Sequence, residues 1–253
     1  MSSPELSVVA WLIGRYRPIA RFVQEGRIVS ARQSVLFGYD CLRQALALGF
    51  ICQQLGQNKA GCVLSAREVK RVCIIDDGYG YFGSLLKLVA ADVQILGVNL
   101  GRTQLFDVTY TGMAHPEASV ALLNAPADIQ SVDIESKDFL FLEAENYEFL
   151  ELLPVDMYIN IASMQEMNLA VVQQYISYMR TSSRGHSYFY YCNRVEKTLP
   201  DGEVVRLADY GWRGDDEVII DELCPWYQGF PKSTPPFWAF FDGPIRHRLV
   251  RLA

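Results

Sequence analysis

The sequence is poor in the residues that build metal sites. It has three histidines and six cysteines, no C-x-x-C pair, and no histidine near another histidine or a cysteine at ligand spacing. Three of the cysteines lie inside apolar runs, where a free thiol behaves as a small buried hydrophobic group. The sequence therefore predicts no zinc site, and no metal of any kind is expected.

Long apolar runs and an excess of positive charge are also missing. The longest apolar stretch of the first half, ALALGFIC at residues 45–52, is far shorter than the roughly 20 residues of a membrane helix. A net charge of −6 gives no electrostatic reason to expect a nucleic acid as partner. The N-terminal MSSPELS lacks the basic and apolar regions of a signal peptide, so a cytoplasmic location without a membrane span is expected.

The first part of the sequence is helical. Apolar residues recur at helical spacing over residues 4–26, with a break at Pro18, and again over residues 34–55. A glycine-containing polar stretch at 56–63 then predicts a loop. We therefore divide the chain into an N-terminal helical segment, residues 1–63, and a second domain, residues 64–253. The helical segment is interpreted as a packing layer, with a lid over the active site or a homo-oligomer face as the alternatives.

A glycine turn between two strands organises the middle of the sequence. The run RVCII at 71–75 is typical of a strand buried on both faces, and a helix at 84–91 and a strand at 93–99 follow. The turn contains three glycines, Gly78, Gly80 and Gly83. Glycine permits positive φ and close approach of a ligand, and the helix N-terminus behind it offers free N–H groups. The turn is therefore predicted to bind a ligand. The alternative is a tight strand-to-helix turn that binds none.

Two cofactors use such a unit. The spacing G-x-G-x-x-G fits a dinucleotide, but the acid expected about 20 residues further on falls at Asn99. A loop for S-adenosylmethionine resembles an apolar run that ends in an acid two residues before the first glycine, and Asp76 stands at that place. Asp76 favours S-adenosylmethionine, and a nicotinamide oxidoreductase remains an alternative.

Further strands and helices alternate after the glycine turn. Apolar runs at 139–142, 156–161 and 187–192 predict strands, and helices are predicted at 117–124 and about 165–179. This alternation predicts an α/β fold, with a parallel Rossmann-like sheet and helices on both of its faces.

The tail after residue 194 is rich in aromatic residues and is predicted to form irregular loops and two antiparallel end strands. Its aromatic residues could fill part of the hydrophobic core or form the wall of a sugar-binding cleft. The core role is favoured.

Three segments resemble bacterial sugar O-methyltransferases of class I. These are the loop DDGYGYFG at 76–83, DMYINIASMQEM at 156–167 and SYFYYCNR at 187–194, and the resemblance covers roughly residues 28–195 by order and spacing. It implies a class I methyltransferase fold, S-adenosylmethionine as cofactor, and a sugar hydroxyl as acceptor, on a glycan or a nucleotide-sugar.

The resemblance also implies roles for single residues. In the loop, the cofactor would be held by Asp76, Gly78, Tyr79, Gly80 and Gly83. Asn99 would contact the ribose, Glu143 would read the adenine at the end of the third strand, and Ser163 follows the fourth strand. Glu166 is the proposed catalytic base, with His186 as its rival.

Two positions depart from the family pattern. Asn99 stands where the family has an acid, and Phe82 replaces a small residue of the loop. A non-catalytic relative that serves as a binding or assembly subunit is therefore the alternative to an enzyme. If the predicted site is correct, Asn99→Asp should strengthen cofactor binding, and Gly80→Val should abolish it in a protein that stays folded.

Overall fold

A computed structural model describes residues 19–56, 69–131, 133–182 and 187–253. The helix predicted before Pro18, residues 57–63 of the predicted loop, Cys62 and His186 lie outside these ranges. The boundary proposed at residue 63 also lies outside them, and it stays a prediction.

The described residues form six α-helices and twelve strands. The helices are α1 (Ile19–Arg32), α2 (Tyr39–Leu55), α3 (Tyr81–Val89), α4 (Gly101–Ala114), α5 (Pro126–Ser131) and α6 (Leu169–Ser182). The strands are β1 (Arg71–Ile75), β2 (Gln94–Asn99), β3 (Val120–Leu123), β4 (Phe139–Glu143), β5 (Met157–Ile161), β6 (Tyr188–Arg194), β7 (Glu196–Thr198), β8 (Val204–Arg206), β9 (Glu217–Leu223), β10 (Gly229–Pro231), β11 (Trp238–Phe240) and β12 (Ile245–Arg251). Short 3₁₀ turns lie at Ile134–Ser136, Ala144–Leu152, Met164–Glu166 and Leu207–Asp209.

Eight of the strands form one sheet in the order β3-β4-β2-β1-β5-β6-β12-β9. The first six are parallel, and β12 runs antiparallel to both β6 and β9. The predicted α/β fold with a Rossmann-like sheet is therefore confirmed, and β9 and β12 supply the predicted end strands. From β1 the chain builds the sheet first towards β2 and then, from β5 onwards, in the other direction. The carboxyl ends of β1 and β5 thus flank a topological switch point, where open α/β sheets bind ligands.

Both faces of the sheet are covered, because alternate residues of each strand point to opposite sides. Val72 and Ile74 belong to a core shared with α1, α2 and α3. Cys73 and Ile75 belong to a second core, which is shared with α6 and the 3₁₀ turn Ala144–Leu152. This gives three layers, with helices on both sides of a strand layer whose central members are apolar throughout.

The described N-terminal helices belong to the first of these cores. Ile19 and Phe22 of α1 pack on Gly49 of α2, where an added Cβ would lie 3.0 Å from the Phe22 ring. The Tyr81 hydroxyl of α3 donates a 2.8 Å hydrogen bond to the Gly26 carbonyl of α1. Residues 19–55 therefore act as a packing layer, which is the interpretation that the sequence favoured.

Two helix predictions are wrong. Residues 117–124 are not a helix: α4 ends at Ala114, and the edge strand β3 follows at Val120–Leu123. The helix predicted from residue 34 begins only at Tyr39, since Ser34 takes a positive φ of 57° and the extended Gly38 forms the N-cap.

The composition of α4 explains why it is not predicted. Its buried residues are mostly polar, namely Gln104, Asp107, Thr111 and Ala114, whereas Leu105, Phe106 and Met113 are exposed. The apolar periodicity that reveals most helices is therefore absent from it.

None of the helices described in these ranges is long and apolar enough to cross a membrane.

Candidate functional site

The switch point is marked by backbone strain. Asp76 follows the last residue of β1 with φ 60°, and Ala162 follows the last residue of β5 with φ 66°. Residues other than glycine rarely take positive φ, and such strained positions cluster at ligand sites. The two strained residues thus mark the carboxyl edge between β1 and β5 as the candidate site.

Three residues predicted for the site meet there. The side chains of Asn99 and Ser163 lie beside the Asp76 carboxylate as potential hydrogen-bond donors. Burial raises the pKa of Asp76, and these two side chains act in the opposite direction. The Asp76 main-chain N–H also donates to the Val98 carbonyl of β2 at 2.8 Å. The main chain of Asp76 is therefore fixed, and its carboxylate lies beside two polar side chains.

Asn99 connects two carboxylates. Its Nδ2 donates to Oδ2 of Asp107 at 2.8 Å, and its Oδ1 accepts the Leu100 N–H at 2.8 Å. Asn99 is only 2% exposed. Because its amide donates to Asp107 and lies beside the Asp76 carboxylate, a neutral donor suits this position.

Buried amides continue the network towards β6. Asn160 in β5 donates to the Ile75 carbonyl at 3.1 Å and to Ser163, and its Oδ1 accepts from Asn193 in β6 at 2.8 Å. Asn193 in turn accepts the main-chain N–H of Gln165 at 3.3 Å. Asn160 and Asn193 are both fully buried. The carboxyl ends of β2, β1, β5 and β6 are thus joined by side chains as well as by the sheet.

Asp77 occupies the N-terminus of α3. Its Oδ1 accepts the Phe82 N–H at 2.9 Å and its Oδ2 the Gly83 N–H at 2.7 Å. Burial raises the pKa of Asp77, while these main-chain hydrogen bonds lower it and the charge of Asp76 raises it further. The free N–H groups that the sequence offered to a ligand are therefore already satisfied by the protein's own carboxylate.

Three carboxyl groups, those of Asp76, Asp77 and Asp107, surround the glycine turn. Asp107, which is 1% exposed, accepts the Gly80 N–H at 2.9 Å. Burial raises its pKa, and the charges of Asp77 and Asp76 raise it further. Among the described residues, none of the three forms an ion pair. This part of the site is therefore suited to a cation.

The glycines of the turn serve different purposes. A Cβ on Gly78, which has φ 83°, would meet no atom within 4 Å, so this main chain faces open space. A Cβ on Gly80, with φ 57°, would lie 2.5 Å from Thr111 Oγ1 and 2.8 Å from the Asp107 carbonyl oxygen. A Cβ on Gly83 would press on Ile95 at 3.1 Å. Only Gly78 leaves room for a ligand, while Gly80 lets the turn pack on α4 and Gly83 lets α3 pack on the sheet.

The turn is completed by two aromatic residues. Tyr79 is 57% exposed, and its ring lies 5.9 Å from Phe106 and 5.3 Å from Tyr110, both on α4. Phe82 is 2% exposed, so its side chain turns into the core and forms one wall of the cleft. The substitution of a small residue by Phe82 therefore leaves the turn intact.

A small cleft of about 40 Å³ lies at the switch point. Its walls include Gln44 of α2, Asp76, Asp77, Phe82 and Ile161. A wider cleft of about 600 Å³ lies at the amino edge of the sheet, beside Arg71 and Asp156. We assign the candidate site to the first cleft because ligands of open α/β sheets bind at the carboxyl edge, where the strained residues and the network also lie.

Glu143 lies next to Asn99. The two residues end neighbouring strands in register, β4 and β2. The Glu143 carboxylate covers the first turn of α4, where a Cβ on Gly101 would lie 3.0 Å from Oε1. Glu143 ends β4 and Asp76 follows β1, so their strands are separated by β2.

Glu166 is held on the surface beside the site. It ends the 3₁₀ turn Met164–Glu166, ahead of α6, so it does not lie in the first turn of the predicted helix. Its carboxylate forms an ion pair with Lys197 of β7 and accepts a 3.2 Å hydrogen bond from Gln165. The side chain is 49% exposed. Glu166 is therefore reachable from solvent but engaged with a lysine.

Four polar residues of the site were not among the predicted ones. These are Asp77, Asp107, Asn160 and Asn193. The sequence contained a hint of Asn160 and Asn193. Asn160 lies inside the apolar run DMYINI and Asn193 directly follows SYFYYC, and asparagine is unusual in buried strands. Asp107 offered no signal, since its partner Gly80 is 27 residues away.

The sequence and the structure were compared with known proteins. No family model matches the sequence, and no curated protein matches it either. The O-methyltransferase TomG of Streptomyces achromogenes, involved in tomaymycin synthesis and solved with S-adenosylmethionine, is 12% identical, with a TM-score of 0.44 over 82% of this chain and 89% of TomG. A methyltransferase of Aquifex aeolicus that depends on S-adenosylmethionine is 13% identical, with a TM-score of 0.40 over 76% of this chain and 88% of that one.

A protein of Nostoc punctiforme proposed to be an O-methyltransferase is 11% identical, with a TM-score of 0.43 over 83% of this chain. The chain spans only 60% of the length of that protein. Similarities of this size do not identify a ligand or a reaction, so the function has to follow from the geometry of this chain.

Proposed function

We propose that the protein is an S-adenosylmethionine-dependent O-methyltransferase whose acceptor is a sugar hydroxyl. The observation that carries the proposal is the Asp77 carboxylate on the first N–H groups of α3, with Asp76 and Asp107 beside it. Three carboxyl groups without a basic partner among the described residues favour a ligand with positive charge. S-adenosylmethionine carries a sulfonium and an ammonium group, and when bound it supplies a methyl group that a nucleophilic oxygen can accept.

The residues of the switch point fit this cofactor. Gly78 exposes its main chain to open space, and the Asp76 carboxylate lies beside Asn99 and Ser163. Glu143 ends β4 in register with Asn99, where the family resemblance implies a residue that reads the adenine. We assign cofactor binding to Asp76, Gly78 and Glu143, with Asn99 and Ser163 as residues that position Asp76.

A nicotinamide dinucleotide fits the same place poorly. Its pyrophosphate needs the free N–H groups and the positive end of the helix behind the glycine turn. Asp77 already accepts the hydrogen bonds of Phe82 and Gly83, and its charge would repel a phosphate. This disfavours the oxidoreductase alternative.

We retain Glu166 as the proposed base. A base must remove the proton of the acceptor hydroxyl during methyl transfer, and a carboxylate within hydrogen-bond reach can do so. Glu166 follows β5 at the carboxyl edge, and its backbone neighbour Gln165 is fixed by Asn193 and by the Arg194 N–H. To accept a proton, Glu166 would have to exchange its ion pair with Lys197 for a contact with the acceptor.

Isothermal titration with S-adenosylmethionine, S-adenosylhomocysteine and NAD tests the proposal. We expect the first two ligands to bind and NAD not to bind. The Asp76→Asn variant should weaken binding of S-adenosylmethionine more than binding of the neutral-sulfur S-adenosylhomocysteine, because only the former carries the sulfonium charge. Binding of NAD alone would overturn the proposal. Binding of S-adenosylmethionine and S-adenosylhomocysteine without methyl transfer to any sugar would favour a non-catalytic subunit.

A further inference from the structure

Two arginines and two aromatic rings form a cluster next to the switch-point cleft. Arg43 lies on α2 with its guanidinium carbon 3.7 Å from the centre of the Tyr227 ring. Arg194 ends β6, and its guanidinium carbon lies 5.8 Å from the centre of the Phe241 ring. The Tyr227 and Phe241 rings contact each other edge to face at 5.2 Å. We call these four residues the two-arginine cluster.

The positive charge of the cluster is weakly compensated. Arg43 forms an ion pair with Asp40, but the Asp40 side chain is 78% exposed, and a pair so open to water is weak. Arg194 forms no ion pair with an acidic residue that the structure describes. Nη1 of Arg43 and Nε of Arg194 are buried and lack a hydrogen-bond partner within the described ranges. The cluster therefore holds buried donors that have no acceptor among the residues the structure describes.

Both arginines influence the pKa of the same phenol, that of Tyr227. Burial raises the pKa of Tyr227, and the positive charges of Arg43 and Arg194 act in the opposite direction. Two guanidinium groups near one phenol ring can approach one ligand from two sides. Because a guanidinium is a planar fork of N–H donors, its best partners are carboxylate and phosphate oxygens.

The cluster borders the cleft of the candidate site. Ile161, a wall of that cleft, pairs in register with Cys192, two residues before Arg194 on the adjacent strand. Adjacent strands lie roughly 4.8 Å apart. Gln44, the residue after Arg43, lines the cleft itself, and its Oε1 is buried without a partner among the described residues. The cluster thus lies on the β6 side of the cleft, opposite Asp77 and Asp107.

We propose that the two-arginine cluster binds an oxyanion of the acceptor, so that the acceptor is an anionic sugar that carries a carboxylate or a phosphate group. This inference rests on the proposed function, since it places the acceptor beside the cofactor cleft. The acceptor anion would pair with the guanidinium donors, and the partly buried Phe241 would offer an apolar surface to the sugar ring.

Titration with three probes tests the inference. D-glucuronate carries a carboxylate, glucose 6-phosphate a phosphate, and glucose no charge; each is titrated with and without S-adenosylhomocysteine. We expect at least one anionic probe to bind about tenfold or more tightly than glucose, which corresponds to one charge-assisted contact. The better of the two anionic probes identifies the anion. In the double variant Arg43→Gln/Arg194→Gln this advantage should vanish, while affinity for S-adenosylhomocysteine stays the same.

Arg248→Gln is the matched control. Arg248 also lies over an aromatic ring, at 4.5 Å from Trp212, and its Nε is also buried without a described partner, but it packs beside the second core. The control should keep the preference for the anionic probe.

Two results would overturn the inference. One is equal or absent binding of all three sugars, and the other is a preference for the anion that survives in the double variant. If S-adenosylhomocysteine still binds, either result leaves the proposed function standing. Failure of S-adenosylhomocysteine to bind would count against the proposed function separately.

Discussion

The carboxyl edge of the sheet has two halves of opposite charge. On the β2 side of the switch point, Asp76, Asp77 and Asp107 gather around the glycine turn. On the β6 side, Arg43 and Arg194 flank Tyr227 and Phe241. Within the described residues, no ion pair links the two groups.

The side chains that lie between the two halves explain why the acidic and the basic groups do not neutralise each other. The side chains between them are neutral amides and a hydroxyl, namely Asn99, Ser163, Asn160, Asn193 and Gln165. These groups satisfy one another, so they hold the strand ends together without cancelling either charge. A cationic cofactor on one side and an anionic acceptor on the other would complete the site, and both would meet at the cleft.

Among the proposed variants, Gly80→Val should disrupt the acidic side of the site most strongly. The new side chain would collide with Thr111 and the Asp107 carbonyl at a residue with φ 57°, so we expect a loss of roughly 3 kcal/mol or more in the free energy of unfolding. The structure thus changes the sequence-based expectation of a folded protein that has lost its cofactor. Denaturant unfolding measures the loss.

Gly78→Ala is its control. With open space around the new Cβ, only the strain of positive φ remains, about 1–2 kcal/mol. The variant should fold but bind S-adenosylhomocysteine more weakly. A Gly80→Val protein as stable as the wild type would show that the turn does not pack on α4 as described.

Glu166→Gln tests whether Glu166 is the base that accepts the proton of the acceptor hydroxyl. If Glu166 is the base, turnover should fall by about 10²-fold, while affinity for S-adenosylhomocysteine is unchanged. Methyl transfer is measured on the sugar that the probe titrations select. Glu196→Gln is the matched control, because Glu196 is an exposed acid of β7 paired with a basic residue, Arg206. Lys197→Met separates the loss of the base from the loss of its ion pair. Normal turnover in Glu166→Gln would leave Glu166 with a structural role only.

Asn99→Asp tests the acidic half in the opposite way, because it adds a negative charge next to Asp76 and Asp107. A third carboxylate would lie between Asp76 and Asp107 and could no longer donate to either, so we expect a loss of about 2–3 kcal/mol in stability and weaker cofactor binding. This reverses the several-fold gain expected from the sequence. Asn124→Asp is the control at the end of the neighbouring edge strand, where the side chain is exposed and the change should stay within about 0.5 kcal/mol. Tighter binding in Asn99→Asp would contradict the network.

The pH dependence of stability tests the same carboxylates with a smaller effect. Burial raises the pKa of Asp107 to about 7 and that of Asp77 to about 6. The folded protein therefore holds protons that the unfolded chain has lost, and stability falls as the pH rises from about 4 to about 7. Relative to Asp107→Asn, the wild type should lose up to about 1.4 kcal/mol per pH unit between pH 5 and 7.

Asp138→Asn is the control for this comparison. Although burial acts in the opposite direction, hydrogen bonds from Lys87 and Ser119 lower the pKa of Asp138 to about 2. Its contribution is lost only as the pH falls below about 4, so the difference between wild type and Asp138→Asn should be flat from pH 5 to 7. A flat difference for Asp107→Asn as well would show that Asp107 is ionised throughout.

The sequence predicts the sheet and the meeting of Asp76, Asn99 and Ser163, because carboxyl ends of parallel strands share one edge. It cannot reveal that Asn99 serves two carboxylates, since Asp107 lies on a helix whose buried face is polar and carries no apolar pattern. The two-arginine cluster is hidden for a related reason. Arg43 belongs to a packing helix, and only the tertiary fold brings it to Tyr227, far along the chain.

A crystal structure after soaking with S-adenosylhomocysteine tests the central claim most directly. We predict that the ligand lies over Gly78, in the cleft between Asp76 and Ile161, with its amino group on the side of the three carboxylates. Ligand density in the wide cleft beside Arg71 at the amino edge, with none over Gly78, would contradict the assignment of the site.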